Sequence, residues 1–318
     1  MDKPPINWLL DQDYYEGEQD ALRAAIEAEG MDWQVLTREL YYREKFDRFP
    51  YGEQVFFFGT LQVAQTLKRE GPSYLEVFLN PKAMECANYY SYFGGELLNS
   101  LYVMVPWGEL KRLRYDLEDL LDIGFGVFAR PNSGLKGFSG QILPSGSDVE
   151  AFEKWWGFTS QFMKAGDLVV ASGAIPASAI LAEYRFFVVD YKVVAWSQYK
   201  ASGRSRLSRD VPEEAIVHAK EMVRRVAGID LASIRDLDLI ERDYENTDLL
   251  YRTGFVIDTC EVEHTDAEPS RHVVEINSLS CSGMYAADPR PIICAMRDLH
   301  YTMLAELELN GNDSNNVP

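Results

Sequence analysis

Apolar positions along the first third of the chain alternate between two periods. Trp8-Leu-Leu is a short apolar run and predicts a strand. Ala21, Leu22, Ala25 and Ile26 recur at helical spacing within Gly17 to Glu29, and Gly30 stops them. Trp33 to Leu36 predicts a second strand. Gln54-Val-Phe-Phe-Phe-Gly59 is continuously apolar, the pattern of a parallel strand buried on both faces. Leu61 to Glu70 predicts a helix that ends at Gly71-Pro72. Strand and helix in alternation imply an α/β layer with a parallel sheet. The aromatic-rich stretch 80–107 carries no clear period, and Leu110 to Asp122 predicts a helix.

The character changes near residue 123. Gly126 to Pro131 predicts a strand, 149–163 a helix and Leu168 to Ala171 another strand. Tyr184 to Val189 and Val193 to Tyr199, separated by Asp190-Tyr-Lys192, predict a hairpin. Pro212 to Val226 is a helix with Pro in its first turn and Gly228 past its end. Two further strand-like runs carry Asp258 and Glu275, and Ile292 to Leu307 is amphipathic. The expected organisation is a preceding α/β domain over 1–120, a second domain of α+β character over 121–309, and a polar, frayed tail over 310–318.

Composition narrows the classes. The chain has 318 residues, 47% of them hydrophobic and 13% aromatic, which is globular. No apolar run reaches the roughly 18–20 residues needed to span a bilayer. Met1-Asp-Lys-Pro-Pro lacks the regions of a signal peptide, so the expected location is cytoplasmic and no membrane partner is expected. A net charge of −19 argues against nucleic acid as the main partner. Cys86, Cys260, Cys281 and Cys294 are scattered, without the spacing of a disulfide framework or zinc site. Cys281, without a suitably placed His, reads as a packing residue. Against the acidic background, Lys192, Lys200, Arg204, Arg206 and Arg209 form a basic stretch, the pattern of an anion site or a solvated loop.

Three segments carry candidate chemistry. In Arg271-His-Val-Val-Glu-Ile-Asn-Ser the period of two puts Glu275 and Asn277 on one face, where oxygen donors suit a hard cation. Asp258 could supply a third oxygen; a strand with a polar outer face is the plainer alternative. In Phe128-Ala-Arg-Pro-Asn-Ser-Gly-Leu-Lys-Gly-Phe-Ser-Gly two cations, Arg130 and Lys136, flank a loop of glycines and serines. Such backbone can approach a phosphate closely. Neither G-x-x-x-x-G-K-[ST] nor G-x-G-x-x-G is present, and an ordinary hairpin is the alternative. In the third segment Glu183 and Arg185 alternate onto one face ahead of an apolar strand, as a ligand grip or as an ion pair worth little.

In order and in motif the chain resembles the ATP-grasp superfamily, and in particular the clade marked by one arginine and two lysines, whose members are phage and bacterial amide-ligase-like proteins. The likeness rests on Phe128 to Gln141, Glu183 to Val189 and Val273 to Ser278, and covers about 120–300. It implies an ATP-grasp fold behind a parallel-sheet α/β domain. It implies ATP phosphates held by Arg130 and Lys136, with Gly137 and Ser139 in the loop closing over them. Val170 and Ala171 fall at the adenine hinge, and Glu183 falls at the ribose. Arg185 and Lys200 fall among groups reaching the γ-phosphate or acyl group. Asp258, Glu275 and Asn277 match Mg²⁺ ligands, and Arg204 and Arg206 fall where related ligases meet substrate. The expected cofactors are therefore ATP and Mg²⁺. The expected activity is carboxylate–amine ligation through an acyl phosphate, on an amino acid, peptide or protein group. A nucleotide-binding or protein-interaction module without chemistry is the alternative. Two departures stand out: Arg130 replaces the lysine of many superfamily members, and Ala171-Ser-Gly-Ala lacks the acid common after the hinge strand. Nothing in the sequence gives the oligomeric state.

Overall fold

A computed structural model of the chain describes residues 5–14, 17–37, 54–71, 74–122, 124–145, 147–236, 254–264 and 267–313. Its strands form three sheets. The first is parallel, in the order β2-β1-β3-β4: β1 (Ile6–Asp11), β2 (Asp32–Leu36), β3 (Gln54–Phe58) and β4 (Leu75–Glu76). All six residues of β1 are buried because both its faces are covered. Leu9, Val55 and Phe57 turn into one core, and Trp8, Leu10, Phe56 and Phe58 into another. Helices α1 (Glu18–Ala28) and α2 (Leu61–Glu70) connect these strands, as the alternating periods predict.

The unassigned aromatic stretch contains α3 (Cys86–Phe93) and β5 (Tyr102–Pro106). Its aromatics pack on one another, with Tyr90 edge-on to Tyr102 at 4.8 Å, which is why no single period is visible. Next come α4 (Trp107–Leu121), β6 (Val127–Pro131), β7 (Gln141–Ile142), α5 (Val149–Thr159) and β8 (Leu168–Gly173). A second, antiparallel sheet has the order β5-β8-β6-β7, so it takes in β5, ahead of the expected boundary at residue 121. It has its own core, in which Trp107 stacks on Trp156 at 4.2 Å.

The third sheet, β11-β10-β9-β12-β13, is the largest. It contains β9 (Ile180–Val189), β10 (Lys192–Ala201), β11 (Arg204–Ser208), β12 (Phe255–His264) and β13 (Ala267–Ser278). The β9–β10 hairpin turns through Asp190 and Tyr191, both at positive φ, the geometry whose twist matches the flanking strands. The basic stretch after Lys200 is a strand: β11 hydrogen-bonds to β10 and leaves Arg204 and Arg206 exposed. Helix α6 (Glu213–Asp236) covers one face with Ala215, Ile216, Ala219, Met222, Val223 and Val226, and extends past Gly228. Helix α7 (Pro289–Asp313) covers the other and packs against α1. It includes 310–313 of the expected tail; 314–318 lie outside the described residues. No helix among the described residues is long and apolar enough to cross a membrane.

Candidate active site

The second and third sheets enclose a cleft of about 510 Å³. Strand pairing builds its floor: Asp258 on β12 lies opposite Arg185 on β9 and opposite Glu275 on β13. Three charged residues thus form one row across three strands. Arg185 donates to both Asp258 oxygens, from Nε at 2.8 Å and from an Nη at 2.7 Å. Glu275 accepts from Arg130 at 2.8 Å and from Lys136 at 3.1 Å. The Asn277 amide joins the carboxylates, 3.0 Å from Asp258 and 3.0 Å from Glu275. Two residues along β9 from Arg185, the Glu183 carboxylate accepts from Lys200 at 3.0 Å and from the Tyr199 hydroxyl at 2.7 Å, both on the neighbouring β10.

These contacts set the charges. Burial alone would raise the Glu275 carboxyl, but Arg130 and Lys136 hold it down to about 2. Burial pushes the Asp258 carboxyl up against the pull of Arg185; the bidentate geometry is that of an ionised carboxylate. The Arg185 guanidinium, though buried, is held well above its usual range by Asp258. Burial lifts the Cys281 thiol to about 11, so at neutral pH it is not a thiolate nucleophile.

The glycine-rich loop reaches the cleft because its first half is anchored. Asn132 is buried; its backbone oxygen accepts from Cys86 N at 2.9 Å and its side-chain oxygen from Ala87 N at 2.7 Å. It thereby caps α3, whose own Glu85 does not. Gly134 lies against residue 84, where an added Cβ would sit 2.6 Å from the Met84 Cβ. The chain then turns through Lys136 at φ 51° and sends its ammonium to Glu275.

Of the residues the sequence singles out, Arg130, Lys136, Ser139, Glu183, Arg185, Lys200, Asp258, Glu275 and Asn277 line this cleft. Val170 and Ala171 do not. Their strand β8 is central, bonded to β5 on one side and β6 on the other, and their side chains are in the cores. The apolar wall is instead Phe128, Ile175 and Ile180. Gly137 packs toward Met163 rather than into the cleft. Arg204 and Arg206 are outside it and make no ion pair among the described residues. Tyr199 and Tyr285 also line it, stacked at 5.1 Å with Arg185 lying 4.8 Å over Tyr285. Tyr199 adjoins Lys200 in sequence, whereas Tyr285 bears no visible signal.

A second cavity of about 400 Å³ shares Lys136, Asn277, Cys281 and Ser282 with the cleft. Its far wall is Asp13, Tyr14, Thr60 and Leu61, beyond the carboxyl ends of β1 and β3, where open α/β sheets bind ligands.

Comparison with known proteins agrees with this architecture. A family model for an ATP-grasp domain, family 2 of the clade named for one arginine and two lysines, matches residues 113–294. No curated protein matches the sequence. The crystal structure of D-cycloserine synthetase DcsG has a TM-score of 0.54 at 15% identity, covering 92% of this chain and 99% of that one. A RimK domain ATP-grasp protein from Sphaerobacter thermophilus gives 0.53 at 12%, covering 91% and 98%. N5-carboxyaminoimidazole synthase from Aspergillus clavatus, solved with ADP, gives 0.51 at 12%, covering 93% and 77%. At these identities the likeness is one of fold.

Proposed function

The chain belongs to the ATP-grasp domain family, in family 2 of the one-arginine, two-lysine clade, and from that membership we propose an ATP- and Mg²⁺-dependent carboxylate–amine ligase acting through an acyl phosphate. The supporting observation is the Arg185–Asp258–Glu275 row, with Arg130 and Lys136 completing it. Two adjacent carboxylates lie between cations there in one cleft, the arrangement needed to gather phosphates and a metal against their own repulsion.

The donor set fits Mg²⁺. Among the described residues no three of His, Cys, Asp and Glu could hold a metal, but here the third donor is an amide. The Asn277 amide nitrogen lies within hydrogen-bond distance of both the Asp258 and the Glu275 carboxylate; those carboxylates, and the Asn277 oxygen once the amide is turned over, are donors that suit a hard cation. Mg²⁺ bound by them would neutralise phosphate charge. Lys136, at the end of an anchored loop, is the cation placed to follow a phosphate. Arg130 is held behind it, donating also to the Val274 carbonyl at 3.4 Å. Phe128, Ile175 and Ile180 offer the base an apolar wall, and Glu183 with Tyr199 offers acceptors and a donor to the ribose.

Carboxylates are poor electrophiles at neutral pH. In the proposed step an oxygen of the substrate carboxylate attacks the γ-phosphorus, the β–γ bridging bond breaks, and ADP leaves with its electron pair. Arg130, Lys136, Arg185 and Lys200 offset the developing charge. The amine then attacks the acyl carbon, phosphate departs, and the amine proton passes to solvent. The second cavity, sharing Lys136 with the cleft, is the place for substrate beside the γ-phosphate. The exposed Arg204 and Arg206 would meet only an acceptor large enough to extend beyond the cleft, such as a peptide or protein.

The test is nucleotide turnover with Mg²⁺ and a mixture of amino acids and peptides as acceptors. ADP and phosphate should accumulate with wild type and not with Glu275→Ala. Equal background turnover by both would remove the enzyme reading and leave a binding module. AMP and pyrophosphate would remove the acyl-phosphate route.

A further inference from the structure

We propose that Glu18, in the first helix and outside the family-matched region, is a positioning residue for the cleft: it fixes the Tyr285 loop, and through it Arg185. This deepens the nucleotide reading above and rests on it. Glu18 opens α1, yet it makes no cap on its own helix; the preceding Gly17 is left-handed, at φ 90°. Its carboxylate instead crosses to the segment following the Glu275–Asn277 strand, accepting from the backbone N–H of Met284 and, at 3.0 Å, from that of Tyr285.

Those two bonds hold a backbone that would otherwise relax. Tyr285 sits at φ 53°, the left-handed region that a bulky residue rarely adopts. In that conformation its ring stacks on Tyr199 and lies under the Arg185 guanidinium. Arg185 closes the bracket from the other side by donating to the Gly283 carbonyl at 3.2 Å. The loop is thus held at its carbonyl by Arg185 and at its amides by Glu18. Tyr14 of the same first domain adds a bond from its hydroxyl to the Ser282 carbonyl at 2.6 Å. Glu18 is the carboxylate in this bracket, and burial raises its carboxyl, opposed by the two amides and Arg185. A half-buried carboxylate costs stability unless its hydrogen bonds offset the lost hydration.

Two measurements on the full chain test this. Hydrogen exchange should show the Met284 and Tyr285 amides at least tenfold less protected in Glu18→Ala, with α1 protected as in wild type. Titration should show Mg²⁺·AMP-PNP bound about tenfold more weakly by Glu18→Ala, with Mg²⁺·ADP within twofold of wild type, since Arg185 is assigned to the γ-phosphate. Glu18→Gln keeps one acceptor oxygen and should fall between the two. Should Glu18→Ala also lose α1 protection, Glu18→Gln decides alone. Unchanged amide protection, or unchanged discrimination between the two nucleotides, overturns the proposal. If wild type binds neither nucleotide, the nucleotide reading has failed instead, and exchange alone decides whether Glu18 holds the loop.

Discussion

Asp258 and Arg185 face each other on adjacent strands, are both almost fully buried, and share two hydrogen bonds of 2.7 and 2.8 Å. Neither charge would persist alone at that depth. The pair fixes where the positive and negative ends of the cleft lie.

Replacing one member should therefore cost more than replacing both. Arg185→Met leaves Asp258 buried and unpaired, and a loss of about 3–5 kcal/mol in urea unfolding is expected. The double variant Arg185→Met/Asp258→Asn should recover most of it. A single variant within about 1 kcal/mol of wild type would show that the pair carries no such energy.

Glu275 gives a pH dependence with a definite sign. Its carboxyl is held at about 2 in the folded protein, against 4.5 ordinarily. A depressed carboxyl stabilises the fold above the unfolded value and loses that contribution as pH falls through the folded one. Stability should thus decline between about pH 4.5 and 2 more steeply in wild type than in Glu275→Gln. Parallel curves of stability against pH over that window would contradict the ion cluster.

Lys136 is 43% exposed and Arg130 12%, so the two cations should separate binding from stability. Lys136→Gln is expected to weaken Mg²⁺·ATP binding about tenfold, or about 1.4 kcal/mol, with little change in Tm. Arg130→Gln should lower both, because it also leaves Glu275 with one cation fewer. Calorimetric titration and thermal melts of the same samples decide this.

At Gly134 a methyl group has no room beside Met84. Gly134→Ala should cost about 1–3 kcal/mol through overpacking. It should also weaken nucleotide binding, since it displaces the segment that aims Lys136. Tighter or unaltered nucleotide binding would mean the loop does not depend on that close approach.

Much of the site is legible in sequence because strand alternation is local. Glu275 and Asn277 are two apart, and any strand puts them on one face. The Arg130–Lys136 loop is likewise legible, since glycine and cation spacing belongs to the chain itself. Val170 and Ala171 lie away from the cleft for the opposite reason. An apolar strand looks the same whether its edge is open to a ligand or bonded to β5, and β5 is hidden in a stretch with no period. The basic stretch reads as a loop because β11 is short and polar, and only pairing with β10 makes it a strand.

By itself the sequence determined the parallel α/β start, the hairpin at Asp190, and most of the charged residues that line the candidate cleft. Periodicity and side-chain chemistry act within a few residues, and that is all they need. Only the tertiary structure decided that Asp258 meets Arg185, that Tyr285 is driven left-handed beneath that guanidinium, and that Glu18 holds it there from 266 and 267 residues away. Register between strands and docking between sheets depend on how whole cores pack, and no short window of sequence contains that information.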